Sequence, residues 1–152
     1  MKLSIEPMRK LFRLPPADRL LLGQSWIILL LVRITLHVLP FKAIRTFCER
    51  ASRRTDDWAR TEVRMHILRV TRLVEIAARY SPVEATCLTE ALTLAWLLGR
   101  RGIATNVRIG VARRNSRVTA HAWLEREGLP IYGLSDENMY APLLPVGPDA
   151  RR

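Results

Sequence analysis

Apolar residues in the first half of the chain recur every three or four positions, which is the spacing of amphipathic helices. The prolines at 15 and 16 precede the apolar stretch 20–39, and Pro40 ends it, so a first helix is predicted there. Similar spacing predicts a second helix over about 41–52 and a third that begins near Asp56 and ends at Ser81. The apolar stripe of the third helix comprises Val63, Ile67, Val70, Val74 and Ala77.

The hydrophobic period changes in the second half of the chain. A further helix is predicted over 87–101, with Gly102 as its terminator. Its apolar stripe comprises Leu88, Ala91, Leu92, Ala95, Trp96 and Leu98. Strict alternation then predicts strands over 107–111 and 118–125, joined by a turn at 114–116, and a short third strand over 129–134 after a turn at Gly128. The core face of the second strand comprises Val118, Ala120, Ala122 and Leu124. The predicted order is therefore three helices, then the helix over 87–101, and then an antiparallel meander of strands. This order indicates an α+β fold.

Residues 20–39 are the most apolar part of the chain, but Gln24, Arg33 and His37 interrupt them. A membrane-spanning helix needs about 20 consecutive apolar residues, and an arginine near the bilayer centre costs roughly 2.5–3.5 kcal/mol. We therefore expect a helix that is buried or covered by a partner, and no transmembrane span. Because basic residues flank the stretch, peripheral membrane contact stays open as an alternative.

The charge is unevenly distributed along the chain. Lys and Arg number 25 against 14 Asp and Glu, a formal net charge of +11. Residues 1–80 carry 16 basic and 7 acidic side chains, a net of +9, whereas residues 81–152 carry 9 and 7, a net of +2. The first half is therefore a candidate docking surface for an anionic partner, or a solubilising surface. Two cysteines and no signal-peptide pattern favour a cytoplasmic protein with reduced thiols.

Cys87 is predicted to open the helix of residues 87–101, with Thr86 as its N-cap. A helix N-terminus carries a partial positive charge and unpaired N–H groups, and both favour a thiolate over a thiol. The same N–H groups can hold the oxyanion of a tetrahedral intermediate. A cysteine in this position is more often a core residue. The hypothesis that Cys87 is a nucleophile therefore needs further support, namely a neighbouring general base.

His121 lies in the middle of the second predicted strand, on the face that it shares with Trp123 and Glu125. A histidine in a strand that follows such a helix can bring its imidazole within hydrogen-bond reach of the thiol. A third group normally orients the ring. Asp136 is the best-placed carboxylate, with Asn138 as an alternative. Glu125 shares the face but lies about 13 Å along the strand.

Two other uses of these residues are weaker. A zinc site needs three or four ligands, and only Cys87 and His121 share a rationale, since Cys48, His37 and His66 lie in the helical half without ligand spacing. No phosphate loop or dinucleotide fingerprint is found, so neither a metal nor a cofactor is expected. The arginine-rich first half motivates a second class of function, a non-catalytic peptide- or nucleic-acid-binding module.

Several blocks of the second half resemble a known family. They are CLTEAL at 87–92, WLL at 96–98, RGI at 101–103, VRIGV at 107–111 and AHAWLE at 120–125. Together they resemble the transglutaminase-like maturation protease of lasso-peptide biosynthesis, in the stand-alone form whose leader-recognition domain is a separate small protein. The resemblance covers roughly residues 10–145, because the patterns at 11–14 and 39–41 also fit.

The resemblance implies a papain/transglutaminase-like cysteine protease core over 81–146, preceded by a helical docking region over 1–80 and followed by a tail over 147–152. Its activity would be removal of the leader peptide from a ribosomally synthesised precursor. Its partners would be that precursor, the small leader-recognition protein and an ATP-dependent macrolactam synthetase, with no nucleic acid expected. Acyl transfer through the same cysteine is an alternative reaction.

The resemblance also implies a triad of Cys87, His121 and an acidic residue, and Trp123 and Thr86 are expected to bind substrate. The family's acid usually falls about a dozen residues after the histidine, a position that Gly133 occupies here. Asp136, three residues later, is therefore the predicted third member.

Overall fold

The computed structural model describes residues 14–40, 43, 60–114, 117–133 and 141–142 of the 152-residue chain. The helices are α1 (Pro16–Val38), α2 (Arg60–Arg79) and α3 (Cys87–Gly99). The strands are β1 (Asn106–Arg114), β2 (Arg117–Arg126), β3 (Leu129–Tyr132) and β4 (Ala141–Pro142). The predicted helix over 41–52 and the predicted start near Asp56 lie outside the described residues.

Helices α1 and α2 pack side by side and run parallel. Arg69 of α2 forms an ion pair with Asp18 near the start of α1. About two turns further along both helices, the indole N–H of Trp26 in α1 donates to the carbonyl of Ala77 in α2 at 2.8 Å. The predicted stripe of α2 is buried and supplies this interface and the core below it: Val63, Ile67, Val70, Val74 and Ala77. The 3.6-residue period alone therefore identified the buried face of this helix.

Helix α1 forms where the apolar stretch predicts it, but most of its apolar surface is exposed. Only Leu22, Ser25, Ile28 and Leu29 are buried, whereas the outward side carries Leu20, Ile27, Leu30, Leu31, Ile34 and Val38. The expectation of a buried helix is therefore wrong for this side, and a covering partner stays a prediction. By length and composition α1 is also the one described helix that could cross a membrane, a test that core helices pass as well.

Helix α3 is the centre of the fold. It packs against α1, α2, β1 and β2, and its whole length beyond the first turn is buried except for Trp96. The sequence predicted one apolar stripe, but Thr89, Thr93, Leu94 and Leu97 are buried too. A helix surrounded on nearly all sides needs no polar face, which is why the amphipathic pattern underestimated its burial.

The strands form one antiparallel sheet in the order β3-β2-β1-β4. The predicted hairpin is confirmed: β1 pairs with β2 from Asn106↔Glu125 to Arg114↔Arg117. β3 follows through a turn at Glu127 and Gly128, both with positive φ, and ends at Tyr132. β4 was not predicted; its two residues pair with β1 on the opposite edge.

One face of the sheet rests on α3. Val107, Ala122 and Leu124 are buried there in the same core cluster as the residues of α3. The predicted core face of β2 is right for Ala122 and Leu124 and wrong for Val118 and Ala120, which are both exposed, Val118 to 69%. The opposite face carries His121, Trp123 and Glu125, so the predicted division into two faces is confirmed for the part of the strand from His121 to Glu125.

Candidate active site

Cys87 is the first residue of α3, and the local sequence determines that the helix begins there. The N–H of Thr89 donates to the hydroxyl of Thr86 at 3.3 Å, and the N–H of Thr86 donates to the hydroxyl of Thr89 at 2.8 Å. This capping box satisfies two donors at the helix start and confirms Thr86 as the N-cap. The Cys87 thiol is free and half-buried against the core.

The start of α3 can supply an oxyanion hole beside the thiol. By helix geometry the N–H groups of Cys87 and Leu88 have no acceptor one turn earlier within the helix. They project from the positive end of the helix dipole, where they favour an anionic ligand. A carbonyl oxygen that becomes an oxyanion during attack by Cys87 would form next to these donors.

His121 lies in β2 directly opposite Gly110 of β1, so no side chain across this pair competes for the space of the imidazole. The ring is half-buried. Its Nε2 atom forms a hydrogen bond with the carbonyl oxygen of Gly133, the residue that follows β3. In a neutral ring whose Nε2 carries the proton, Nδ1 is the acceptor, which is the role that a general base needs.

The end of β3 links Cys87 to His121. Tyr132, the last residue of β3, packs against the same core cluster as Cys87, and burial first and then the neighbouring Glu90 raise its pKa above the ordinary value. The next residue, Gly133, holds the imidazole of His121. The cysteine and the histidine, 34 positions apart in the sequence, thus both neighbour one two-residue segment.

A carboxyl–phenol pair fixes this segment to α3. The hydroxyl of Tyr132 donates to the carboxylate of Glu90, which lies one helical turn after Cys87. Burial raises the pKa of Glu90, the hydrogen bond from Tyr132 lowers it, and nearby Glu75 raises it. The sequence pattern did not predict this pair. A single carboxylate in an otherwise apolar helix needs a hydrogen-bond partner when it is buried, and that signal would have identified Glu90.

Glu125 has other partners than the imidazole. Its two carboxylate oxygens accept from the indole N–H of Trp123 and from Nε of Arg108, each at 2.8 Å. The bond to Arg108 joins β2 to β1, so Glu125 stabilises the sheet face around the histidine. Trp123 is buried, at 6% exposure, and its role in binding substrate stays a prediction, as does that of Thr86.

The remaining predicted residues are less informative. Asp136, Asn138 and Cys48 lie outside the described residues, so the predicted third member of the triad is untested. His37 is exposed on α1 and bonds the carbonyl of Arg33 at 2.8 Å. Burial and two nearby arginines lower the pKa of His66 on α2. Within the described ranges no three His, Cys, Asp or Glu side chains form a cluster that could hold a metal ion.

Comparison with known proteins agrees with this arrangement. The sequence profile of the transglutaminase-like superfamily matches residues 26–144, which is most of the chain and includes Cys87 and His121. No significant match exists among curated proteins or solved structures. Proteins of this superfamily are generally cysteine peptidases or acyl transferases. With its cysteine at a helix start and its histidine in the following antiparallel sheet, this chain belongs to the transglutaminase-like superfamily.

Proposed function

We propose that this protein is a cysteine peptidase that removes the leader peptide from a ribosomally synthesised lasso-peptide precursor. The observation that carries the proposal is the common neighbourhood of Cys87 and His121. The thiol opens a capped helix, the imidazole is held by Gly133, and Tyr132 next to that glycine bonds Glu90, one helical turn after the thiol. This combination suits nucleophilic catalysis by a thiol–imidazole pair.

The reaction follows from these positions. Nδ1 of His121 accepts the proton of the Cys87 thiol, and the thiolate attacks the carbonyl carbon at the junction of leader and core. The N–H groups at the start of α3 stabilise the oxyanion. When the C–N bond breaks, the imidazolium returns the proton to the departing amine of the core peptide. Water then attacks the thioester, with the imidazole as base, and releases the leader as a carboxylic acid.

The choice of substrate rests on the sequence blocks around the two residues. AHAWLE at 120–125 and CLTEAL at 87–92 resemble the lasso-peptide maturation protease. The proposed partners are therefore the precursor, a small leader-recognition protein and the ATP-dependent macrolactam synthetase that would receive the freed core, all in the cytoplasm. The arginine-rich first half is the proposed docking surface for them.

The deciding experiment incubates the purified protein with a lasso-peptide precursor and a leader-recognition protein, chosen from the reading frames that neighbour its own, and follows cleavage by mass spectrometry. Cys87→Ala and His121→Ala should each lower the cleavage rate by about 1000-fold or more, with unchanged circular dichroism. Cys48→Ala is the matched control and should cleave normally. Retained cleavage by either of the first two variants would overturn the proposal.

Product analysis separates hydrolysis from acyl transfer, because both reactions pass through the same thioester. In water labelled with heavy oxygen, hydrolysis places one labelled atom in the carboxylate at the leader's new C-terminus. Transfer to an added amine gives an unlabelled amide instead. If neither product forms, and affinity for nucleic acid falls steeply with salt, the binding-module alternative is favoured.

A further inference from the structure

We propose that the outward side of α1 binds an anionic membrane surface, with the helix lying in the plane of the lipid headgroups. The inference goes beyond the proposed function, since this side of α1 takes no part in the chemistry at Cys87. α1 contains 23 residues, which extend about 35 Å at 1.5 Å per residue. By length and composition it is apolar enough to contact a bilayer along this whole length.

The outward side of α1 is a continuous stripe without charged residues, the α1 stripe. Its members recur in steps of three, four or seven positions, so they share one side of the helix. They are Leu20, Ile27, Leu30, Leu31, Ile34 and Val38, with exposed fractions from 44% to 75%. Gly23 lies on the same side, and a Cβ atom added there would meet nothing within 4 Å. The α1 stripe therefore faces open space over about 27 Å.

The other side of α1 belongs to the protein core, so the helix lies on a membrane and does not cross it. The residues buried on that side are Leu22, Ser25, Ile28 and Leu29. They share core clusters with residues of α2 and α3, and the indole N–H of Trp26 donates to the carbonyl of Ala77. A spanning helix would break these contacts. A helix that lies in the interface plane keeps them and buries only the α1 stripe.

The charges around the α1 stripe select an anionic surface. α1 and α2 contain seven arginines, two in α1 and five in α2, against three acidic residues. One of these acids, Asp18, is paired with Arg69. Arg19 and Arg33 are 14 positions apart, which places both at the same edge of the stripe, and within the described residues neither forms an ion pair. Their guanidinium groups can bind lipid phosphates while their stems lie along the apolar surface.

The basic character of the protein favours a lipid surface over a second copy as the occupant. The chain carries a formal net charge of +11, so two copies repel each other. An anionic bilayer instead attracts the protein before any apolar side chain is buried. An apolar helix side with arginines at its edge is the usual combination for such binding. The ligand is therefore a bilayer surface that contains anionic phospholipid.

The test measures flotation of the full-length protein with large unilamellar vesicles. Vesicles of phosphatidylglycerol and phosphatidylcholine in equal parts should carry the protein, and vesicles of phosphatidylcholine alone should not. The double variant Ile27→Gln with Leu31→Gln replaces two side chains that are more than half exposed by good helix formers. It should lower the partition coefficient by about 100-fold or more, because two apolar side chains no longer enter the bilayer.

Three further variants complete the test. Leu129→Gln in β3 is the matched control and should bind normally, because that leucine is 68% exposed but lies outside α1. Arg19→Gln with Arg33→Gln should weaken binding by about 30-fold, since one arginine near an anionic surface contributes roughly fivefold. Cys87→Ala should bind like the wild type, so the result stays valid if the proposed function fails.

The inference is overturned if the wild type does not float with the anionic vesicles, or if Ile27→Gln with Leu31→Gln floats equally well. Bound protein that alkaline carbonate does not release would mean a spanning helix. A dimer in sedimentation velocity that the double variant abolishes would assign the α1 stripe to a second copy, and a loss of affinity for the leader-recognition protein without vesicle binding would assign it to that partner. A double variant that unfolds would mean that the chain itself covers the stripe.

Discussion

Helices α1 and α3 are both rich in leucine, together with isoleucine in α1 and alanine in α3. They differ in how much of their apolar surface is exposed to solvent. α3 lies between two helices and the sheet and is buried almost throughout. α1 packs on α2 and α3 along one side and exposes the other, where Ile27 is 62% and Val38 75% exposed. The apolar content of a segment therefore does not determine its burial, which depends on how many surfaces surround it. The proposed nucleophile lies on the helix that is held from all sides, so the thiol is attached to a rigid element.

The largest expected effect tests this difference in packing directly. Leu98→Ala in α3 removes a fully buried side chain and should lower the free energy of unfolding by about 2–5 kcal/mol. Leu31→Ala in α1 removes a side chain that is 55% exposed and should change it by only about 0.5 kcal/mol. Urea unfolding followed by circular dichroism measures both. A large loss in Leu31→Ala would mean that α1 is covered in solution.

The link between α3 and the sheet gives the next largest effect. Tyr132→Phe removes the donor to the half-buried carboxylate of Glu90 and should cost about 1–3 kcal/mol near neutral pH. Burial already raises the pKa of Glu90 above 4.5, and losing the donor raises it further. The folded state then binds more protons than the unfolded state, so stability falls as pH rises from about 4.5 through the folded pKa.

The matched control for this prediction is Glu90→Gln, whose amide oxygen can still accept from Tyr132. Unfolding free energies measured across pH should show that the loss of stability in Tyr132→Phe, relative to the wild type, becomes smaller toward acid pH. In the double variant Tyr132→Phe with Glu90→Gln, that pH dependence should disappear. A defect of constant size across the pH range would show that Tyr132 contributes through packing alone.

The stability of the protein should depend more on the N-cap side chain of α3 than on the residue that precedes α1. Thr86→Ala removes the acceptor of the Thr89 N–H and should cost about 1 kcal/mol, whereas α1 begins at Pro16 without a side-chain cap. Thr86→Ser keeps the hydroxyl and should retain stability in thermal unfolding. Because Cys87 is the next residue, precursor cleavage should also fall in Thr86→Ala and recover in Thr86→Ser. Equal stability of both variants would contradict the capping role.

The smallest effect is expected at the surface of the helical pair. Arg69 bonds Asp18 at 2.5 Å, but the arginine side chain is 46% exposed. Arg69→Ala should therefore cost about 0.2–1 kcal/mol, and less in high salt because exposed charges are screened. Urea unfolding at two salt concentrations checks this. A cost that rivals that of Leu98→Ala would mean that ion pairs, and not packing, join α1 to α2.

Much of the fold could be predicted from local pattern. The period of 3.6 located the buried stripe of α2, and the period of two located β1 and β2 and their two faces, because these repeats follow from backbone geometry. The sequence did not predict β4, whose two residues are strand only through pairing with β1. It also predicted core positions for Val118 and Ala120, which are exposed, since alternation alone cannot show how far along a strand the core extends.

The candidate site divides in the same way. The sequence by itself determined that Cys87 opens a helix capped by Thr86 and that His121 lies within a strand, because capping and alternation act over a few residues. Only the tertiary structure decided that Glu90 pairs with Tyr132, that Glu125 is engaged by Trp123 and Arg108, and that Nε2 of His121 meets the carbonyl of Gly133. A backbone carbonyl has the same chemistry at every residue, so no side-chain pattern can identify the one that will face a ring. That contact exists only because packing between α3 and the sheet positions the end of β3.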